Sequence, residues 1–275
     1  METDAARPPG TISEVVVLPL AERRAKVLEM VRRNQFASVA DLSEAFGVSE
    51  VTIRSDLDVL AGEGVIRRVR GGAVHRPGPG LEAPFEETQT QRVEARREIA
   101  LAAAGMVASG QTVLLDGGVT VTAAARAIAE RADLHDVTAI TNSVPVALAL
   151  EPAIPRMSVL LTGGTLRRLQ HTLVNPFGTT ILEQVHGHLA ILAADGVDAS
   201  AGVTHINLAE VEIKRLLMRA ARQRVLLADA PSVGAVSLVH LYPVGELDEL
   251  ITSSGADAEA LDALRDQGLA IRITG

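Results

Sequence analysis

The 275-residue chain contains no cysteine and no tryptophan, and it has only four phenylalanines and one tyrosine. Without cysteine the chain can form no disulfide, no thiolate nucleophile and no cysteine-ligated zinc site. Disulfide-built secreted modules are therefore excluded. The scarcity of aromatic side chains also disfavours binding of single-stranded nucleic acid, because that mode depends on stacking bases against aromatic rings.

Long apolar runs are missing too, since no uninterrupted stretch reaches the ~20 residues that a membrane-spanning helix requires. The opening residues, METDAARPPG, lack the basic and then apolar order of a signal peptide. We therefore expect a cytoplasmic protein without a membrane partner. Hydrophobic residues make up 47% of the chain and charged residues 22%, which is typical of a globular protein. The length favours about two domains.

The formal net charge of −8 argues at first against a nucleic-acid partner. The charge is unevenly distributed, however. Residues 1–76 contain eleven basic and eleven acidic residues, whereas residues 77–275 contain fifteen and twenty-three and carry the whole excess. Within the first part, residues 65–76 include four arginines and no acidic residue. An acidic body with one small basic patch suits a protein that presents that patch to DNA phosphates.

Three short helical patterns precede the basic patch. Their apolar residues recur at helical spacing: Val27, Leu28 and Val31; Val39, Leu42 and Phe46; and Ile53, Leu57 and Leu60. Ser38 is followed three residues later by an aspartate, as in a capping box, and Ser49 can cap the third helix. Gly47 between them permits a tight turn. The basic segment VIRRVRGGAV alternates and is broken by two glycines, which predicts a two-stranded ribbon.

Together these features predict a winged helix-turn-helix domain over residues 20–76. The alternative is a small protein-interaction domain with solvated arginines, but helix spacing, turn glycine and basic ribbon all agree with the DNA-binding interpretation. The third helix would enter the major groove, while the arginines of the ribbon hold phosphates or probe the minor groove. The predicted DNA-binding residues are Ser38, Ser49, Val51, Thr52, Arg54, Ser55, Arg67, Arg68 and Arg70.

The rest of the chain has a different pattern. Residues 1–19 are interpreted as a flexible leader, and residues 77–91, rich in Pro and Gly, as a linker. Residues 92–275 alternate short apolar runs with helical segments, which predicts a Rossmann-like parallel sheet covered by helices on both faces. The predicted strands are VLLD at 113–116, TAIT at 138–141, SVLLT at 158–162, LAILAAD at 189–195, RVLLAD at 224–229 and ELIT at 249–252.

Several of these strands end in polar or glycine-rich turns, and in open α/β sheets the ligand crevice lies outside the carboxyl ends of the strands. Backbone N–H groups at a helix start favour an anion there. Glycine turns also serve as plain connections, so the set of turns on one edge favours a site more than any single turn does. The predicted ligand-binding residues are Asp116, Gly117, Gly118, Thr120, Thr141, Asn142, Ser143, Gly163, Gly164, Arg167, Asp195, Gly196, Asp198, Glu210, Lys214 and Asp229.

Two of these residues, Glu210 and Lys214, lie one helical turn apart. That spacing allows ligand contact and equally allows an exposed ion pair on the helix surface. Both alternatives stay open from the sequence.

The sequence resembles a known family at this point. The run ERRAKVLEMVRRNQFASVADLSEAFGVSEVTIRSDLDVLAGEGVIRRVRGGAV is similar to the N-terminal domain of DeoR-type bacterial transcriptional regulators. The segment VSEVTIRSDLDVL follows that family's recognition-helix signature, and RRVRGGA follows its wing. Farther along, LLDGGVT, ITNS, LTGGTLR, AADGVD and LADAPSVG resemble motifs of the family's sugar-phosphate-sensing domain. The likeness covers most of residues 20–255.

The resemblance implies a regulator of sugar-metabolism genes, expected to be a repressor, that binds operator DNA and is gated by a phosphosugar or related small effector. It further implies a sensor fold related to ribose-5-phosphate isomerase, a homo-oligomer (dimer or tetramer), and no cofactor. The chain departs from the family pattern at Ser55, where a second basic residue is usual. It also departs at Gly117 and Val119, where hydroxyl residues are usual, and at Ser232, where a lysine is usual.

An enzyme is the alternative function, because Asp195 and Asp198 resemble the paired aspartates of ribose-5-phosphate isomerases. The lysine- and glycine-rich segment that follows those aspartates in the isomerases is missing here. The sequence also lacks a P-loop and a G-x-S-x-G elbow. His186 and His188 have no carboxylates at metal-ligand spacing. We therefore expect no catalytic residues and no metal site, and we rank an isomerase-like enzyme with an appended helical domain second.

Overall fold

The computed structural model describes residues 18–34, 36–62, 65–69, 71–75 and 82–275. The chain divides into two compact units, unit 1 over residues 1–79 and unit 2 over residues 80–275. Most of the predicted leader and residues 77–81 of the predicted linker lie outside the described residues. In the described part of the chain, no helix combines the length and the apolar character needed to cross a membrane.

Unit 1 is a helical domain with a small antiparallel sheet. In chain order its elements are α1 (Leu20–Asn34), β1 (Phe36–Ser38), α2 (Val39–Phe46), α3 (Glu50–Gly62), β2 (Ile66–Val69) and β3 (Gly72–His75). The predicted two-stranded ribbon is confirmed as the antiparallel pair β2 and β3. The sequence did not indicate that β1 also pairs with β3, which gives a three-stranded sheet of order β1-β3-β2. The close approach of β1 to β3 requires glycine at Gly72, where a Cβ atom would lie 2.3 Å from the carbonyl oxygen of Ala37.

The helices of unit 1 are fixed by caps and by one buried ion-pair cluster. Ser38 caps α2 by accepting a hydrogen bond from the N–H of Asp41, and Gly47 ends α2 in the left-handed conformation with φ 61°, as predicted. Asp56 of α3 is 1% exposed and accepts hydrogen bonds from Arg23 (2.6 Å) and Arg24 (2.9 Å) of α1. These contacts hold α3 against α1.

Unit 2 is built on a seven-stranded parallel sheet of order β15-β14-β12-β9-β4-β5-β6. The strands of this sheet are β4 (Thr112–Leu115), β5 (Val137–Thr141), β6 (Met157–Leu161), β9 (Gly187–Ala193), β12 (Ala221–Leu227), β14 (Glu249–Ser253) and β15 (Ala270–Thr274). Two smaller antiparallel sheets accompany it, formed by β7 (Thr165–Arg167) and β8 (Thr172–Val174), and by β10 (Gly196–Asp198), β11 (Gly202–His205) and β13 (Val239–Tyr242). All six predicted strands are confirmed as members of the large sheet.

Helices cover both faces of the large sheet, which confirms the predicted α/β fold class. They are α4 (Phe85–Thr88), α5 (Val93–Ala104), α6 (Val119–Glu130), α7 (Val144–Leu150), α8 (Phe177–Leu182), α9 (Val211–Arg219) and α10 (Ala258–Asp266). Helices α5, α6 and α7 share one buried apolar cluster, and α8, α9 and α10 share the other. Strand β9 contributes Leu189 and Ile191 to the first cluster and Ala190 and Leu192 to the second, which explains its continuous apolar sequence.

The strand order contains a reversal that creates a crevice. From β4 the chain passes outward to β5 and β6, and then returns to β9 on the other side of β4. Loops that leave β4 and β9 therefore diverge in opposite directions at the carboxyl ends of the two strands. This is the place where open α/β sheets bind ligands.

Candidate functional site

The surface of α3 in unit 1 carries the residues predicted to read DNA. Val51 is 72% exposed, and Arg54 and Ser55 are exposed beside it, because Ile53 and Leu57 occupy the core. The Nη2 atom of Arg54 lies 2.6 Å from Glu50 one turn earlier, in an exposed ion pair. In the part of the chain that the structure describes, the Ser55 hydroxyl has no hydrogen-bond partner. The helix thus presents an open and mostly uncharged face.

Four of the other predicted DNA-binding residues have partners within unit 1. Ser49 accepts a hydrogen bond from the N–H of Thr52 (3.3 Å), and the two hydroxyls are 2.9 Å apart, so both residues start α3. The hydroxyl of Ser38 is engaged at the start of α2. Arg68 of β2 lies 2.9 Å from Asp58 of α3 and donates to the carbonyl of Gly72, which fixes the β2–β3 hairpin against α3. Arg70 and the side chain of Arg67 lie outside the described residues.

Replacing Ser55 by arginine is expected to change which DNA sequences the protein prefers. The added guanidinium can donate two hydrogen bonds to a guanine edge in the major groove, and such a pair discriminates bases by about 1–3 kcal/mol. Folding should be unaffected because Ser55 is exposed. In a binding-site selection the variant should enrich different sites from the wild type. Identical enriched sites would remove Ser55 from the reading face.

In unit 2 a cavity of about 420 Å³ lies at the carboxyl ends of β4, β9 and β12. It coincides with the reversal of strand order and with the first turn of α6, whose leading N–H groups have no partner within the helix. Seven of the predicted residues line it: Gly117, Gly118, Thr120, Asp195, Glu210, Lys214 and Asp229. Gly118 has a φ of 124°, a conformation that favours glycine, and it lets the chain turn from β4 into α6.

A buried ion pair forms the floor of the cavity. The Nζ atom of Lys214 lies 2.6 Å from Oδ2 of Asp116 and donates to the carbonyl of Ala193 at 3.1 Å. Asp116 also accepts hydrogen bonds from the N–H groups of Gly117 (2.7 Å) and Ala193 (3.0 Å). Burial favours the neutral form of Lys214, but the charges of Asp116 and Glu210 outweigh it and raise the lysine pKa. Asp116 therefore orients Lys214 and the loop that leads into α6, and it does not line the cavity itself.

A second cluster of charges surrounds Glu210 on one wall. Oε1 of Glu210 accepts hydrogen bonds from Arg167 and from the hydroxyl of Thr172, and Oε2 lies 3.1 Å from Nε2 of His205. Arg167 also donates to Glu82 at 2.5 Å. Of the two alternatives left open for Glu210 and Lys214, the exposed ion pair is ruled out, since both residues are buried and each has other partners.

His205 links this cluster to Asp195. Its Nδ1 atom lies 2.6 Å from Oδ2 of Asp195, a close charge contact without hydrogen-bond alignment. Burial and the nearby Lys214 disfavour the charged imidazole, but the carboxylates of Asp195 and Glu210 outweigh them and raise the pKa of His205. Burial likewise acts to raise the pKa of Asp195, yet the contact with His205 leaves that pKa below its ordinary value.

The free energy of unfolding is expected to fall as the pH rises above ~6.5, because His205 has a raised pKa in the folded state. The pKa of His205 is higher in the folded state than in the unfolded state. Its contribution to the free energy of unfolding is therefore complete below the pKa of the unfolded state, and it is lost as the pH rises through the pKa of the folded state. Urea unfolding of wild type and of His205→Gln should show this decline only in the wild type. The exposed His186→Gln is the matched control, and an equal decline in His205→Gln would contradict the assignment.

The remaining predicted ligand residues do not line the cavity. Asp198 accepts hydrogen bonds from the N–H groups of Ser200 and Ala201 and closes the β10–β11 hairpin, so its carboxylate is engaged outside the cavity. Arg167 donates a hydrogen bond to Glu210, which lines the cavity, but it does not line the cavity itself. The others shape the loops instead. Thr141, Asn142 and Ser143 bond within the turn from β5 to α7 and with β8. Gly164 and Gly196 allow close backbone approach, and Gly163 has a positive φ of 75°.

Sequence reasoning missed several residues that line the cavity: Glu82, Arg92, Arg96, Thr172 and His205. Arg92 and Arg96 both face Asp229, at 2.7 Å and 3.5 Å. Their spacing of four residues at the start of a helix was visible in the sequence. Their partner, however, lies more than 130 positions away, and no local pattern indicates it.

Comparison with known proteins identifies the family of the chain. Residues 23–76 match the DeoR-like helix-turn-helix domain, and residues 91–254 match the DeoR C-terminal sensor domain. The chain belongs to the DeoR family of transcriptional regulators. This DeoR-family protein is therefore a DNA-binding regulator and not an enzyme, and unit 2 is its sensor, as the sequence predicted.

Characterised relatives match over nearly the whole chain. The HTH-type transcriptional regulator GlpR of Haloferax volcanii is 33% identical over 251 residues, which cover 91% of this chain and 96% of that protein. The HTH-type transcriptional regulator GolR of Listeria innocua is 31% identical, with 92% and 98% covered. The glycerol-3-phosphate regulon repressor of Escherichia coli is 25% identical, with 92% and 98% covered. Among solved structures, a ribose 5-phosphate isomerase A from Methanocaldococcus jannaschii has a TM-score of 0.38 at 15% identity, covering 52% of this chain and 55% of that one, and a score this low supports no conclusion about activity.

Proposed function

We propose that this DeoR-family regulator represses sugar-metabolism genes and is gated by a phosphosugar or related small effector that binds in the unit 2 cavity. The single observation that carries the proposal is the charged cavity at the reversal of strand order, where buried ionisable side chains and the start of α6 meet. The name of the Escherichia coli relative, a glycerol-3-phosphate regulon repressor, agrees with such an effector class. We further propose that the protein acts in the cytoplasm and as a homo-oligomer.

The chemistry of the cavity favours a polyhydroxyl ligand with one anionic group. Asp195 and Glu210 offer carboxylate oxygens that accept hydrogen bonds from hydroxyls. The N–H groups that lead into α6, from Gly117 to Thr120, favour an anion, and the helix dipole adds to this preference. The proposed effector contacts are Gly117, Gly118, Thr120, Asp195, Glu210, Lys214 and Asp229.

The proposed DNA interface is the α3 face together with the β2–β3 hairpin, within a domain that spans residues 20–76. Val51, Thr52, Arg54 and Ser55 would contact the major groove. Arg67, Arg68 and Arg70 would contact phosphates. Ser38 and Ser49 are proposed to reach phosphate through the helix starts that they cap.

Replacing Asp195 by asparagine is expected to weaken effector binding by about 10–100-fold, since a hydrogen bond to a charged group is worth about 1.5–3 kcal/mol. Calorimetry against glucose 6-phosphate, fructose 6-phosphate, galactosamine 6-phosphate, glycerol 3-phosphate and the unphosphorylated sugars tests this and names the class. Asp198→Asn is the matched control, because Asp198 lies off the cavity. Equal weakening by the two variants, or binding of no compound by the wild type, would contradict the proposal.

A further inference from the structure

The segment of residues 82–92 begins between the two family matches, which end at residue 76 and begin at residue 91, and its last two residues are the first two of the sensor-domain match. The sequence assigns nearly all of it to a linker. In the structure it instead packs within unit 2, with α4 at its centre and Phe85 only 6% exposed. It is also the stretch of chain through which unit 2 continues from the DNA-binding unit. The contacts of this segment therefore bear on how effector binding in unit 2 affects DNA binding by unit 1.

The N-terminal end of the 82–92 segment packs against the β7–β8 hairpin through hydrogen bonds. Glu82 receives hydrogen bonds from Arg167 (2.5 Å) and from Asn207 (2.7 Å), both to Oε2. Two more hydrogen bonds involve the backbone of the segment: the N–H of Phe85 donates to the carbonyl of Leu169 (2.9 Å), and the side-chain amide of Gln170 donates to the carbonyl of Ala83 (2.5 Å). The ring of Phe85 meets His171 edge to face. All of these contacts except that of Asn207, which follows β11, are with the β7–β8 hairpin.

The other end is fastened to the strand end of β12. Arg92 holds a left-handed backbone conformation, φ 46°, which is uncommon for a residue with a side chain and is found mostly where the surroundings impose it. Its Nη1 atom lies 2.7 Å from Asp229. Arg96, which is 6% exposed, donates to the carbonyls of Thr88 and Gln91 and so holds the end of the segment from below.

Between these ends the segment forms one wall of the effector cavity, to which Glu82, Ala83, Thr88, Gln91 and Arg92 all contribute. Its two charged ends have spare hydrogen-bonding capacity. Among the described residues, the only hydrogen bond of Glu82 Oε1 is a long one, 3.4 Å, from Arg167. Within the same residues Arg92 uses one of its five side-chain N–H donors, and its side chain is 47% exposed. A ligand in the cavity therefore meets a free acceptor at one end of the wall and free donors at the other.

We propose that residues 82–92 belong to the effector site, with Glu82 accepting hydrogen bonds from effector hydroxyls and Arg92 binding its anionic group, so that the effector fastens this segment to the sensor sheet. The inference rests on the proposed function of the cavity. A ligand that contacts both the segment and the sheet binds more tightly when the segment is docked on the sheet than when it is undocked. The ligand therefore shifts the equilibrium toward the docked arrangement. Docking of the segment then couples effector binding to the DNA-binding unit.

Hydrogen exchange and calorimetry on the full-length protein test this, with the phosphosugars named above and inorganic phosphate as probes. In the wild type a bound phosphosugar should slow exchange of residues 82–91. Glu82→Gln should weaken binding of each phosphosugar by about 10–100-fold. Arg92→Gln should weaken the phosphorylated compounds and inorganic phosphate but leave the unphosphorylated sugars unchanged. Matched controls are Glu94→Gln and Arg97→Gln, an exposed pair on α5 outside the segment, which should behave as the wild type.

Two results would overturn the inference: wild-type affinities in both Glu82→Gln and Arg92→Gln, or exchange in residues 82–91 that does not respond to a bound phosphosugar. If no probe binds the wild type, the proposed effector class fails separately. In that case the operator affinity measured without effector tests the inference about residues 82–92. Glu82→Gln should undock the segment and shift that affinity, while Glu94→Gln should not. An unchanged affinity in Glu82→Gln would overturn the inference in that case as well.

Discussion

Replacing Lys214 by methionine is expected to destabilise unit 2 by about 3–5 kcal/mol, because it removes one partner of a buried ion pair. Lys214 is 2% exposed, and its partner Asp116 is 1% exposed. Methionine keeps the length of the side chain but leaves the carboxylate of Asp116 uncompensated. Urea unfolding should show the loss as a shift of the midpoint for unit 2.

The chain offers a matched control, since Lys26 is its only other lysine. Lys26 is half-exposed and lies 3.1 Å from Glu22 on α1, where a surface pair contributes about 0–1 kcal/mol. Lys26→Met should therefore unfold almost as the wild type does. The double variant Asp116→Asn/Lys214→Met should recover part of the lost stability, because no isolated charge remains buried. Equal midpoints for the two lysine variants would contradict the role given to Lys214.

Replacing Arg67, Arg68 and Arg70 together by alanine is expected to weaken binding to every DNA sequence and to reduce its dependence on salt. Each phosphate contact contributes a slope of ~0.9 to the logarithm of affinity against the logarithm of salt concentration, so three lost contacts lower the slope by ~2.7. In the free protein Arg68 is paired with Asp58, and DNA must compete for it. If the salt slope falls only by the amount expected for two phosphate contacts, the ion pair between Arg68 and Asp58 persists when DNA is bound.

The control for this experiment removes three arginines from the surface of unit 2: Arg97, Arg265 and Arg272, each about half-exposed or more. Their loss changes the net charge by the same amount but removes no proposed phosphate contact. The salt slope should stay at the wild-type value. If the hairpin variant also keeps that value, the β2–β3 hairpin does not contact DNA.

The fold was predictable where local pattern and burial coincide. The central strands are buried on both faces, so their sequences are nearly all apolar and flanked by turns, as in β9 and β12. The three-residue strands β1, β7 and β10 are too short to show alternation and depend on partners elsewhere in the chain. Strand β15 was missed because it lies at the edge of the sheet and its exposed residues interrupt the apolar run.

The candidate site was predictable only in part, for a related reason. Residues at strand ends, such as Asp195 and Asp229, could be placed in the crevice from the order of strands and helices alone. Asp198 shares a motif with Asp195 but points into its own hairpin, which sequence spacing does not reveal. Glu82 and Arg92 could not be placed, because a Pro- and Gly-rich sequence gives no sign that the chain beyond it packs against the sensor.

The most direct test of an effector-gated regulator is the affinity of the full-length protein for its operator, measured by fluorescence anisotropy with and without a phosphosugar that binds the cavity. Coupling between two such sites is typically ~1–3 kcal/mol, so we expect a shift of ~5–150-fold in operator affinity, with a strongly reduced shift in Asp195→Asn. By reciprocity, operator DNA should change the phosphosugar affinity by the same factor. An operator affinity that is unchanged when the cavity is saturated with phosphosugar would show that the cavity does not gate DNA binding.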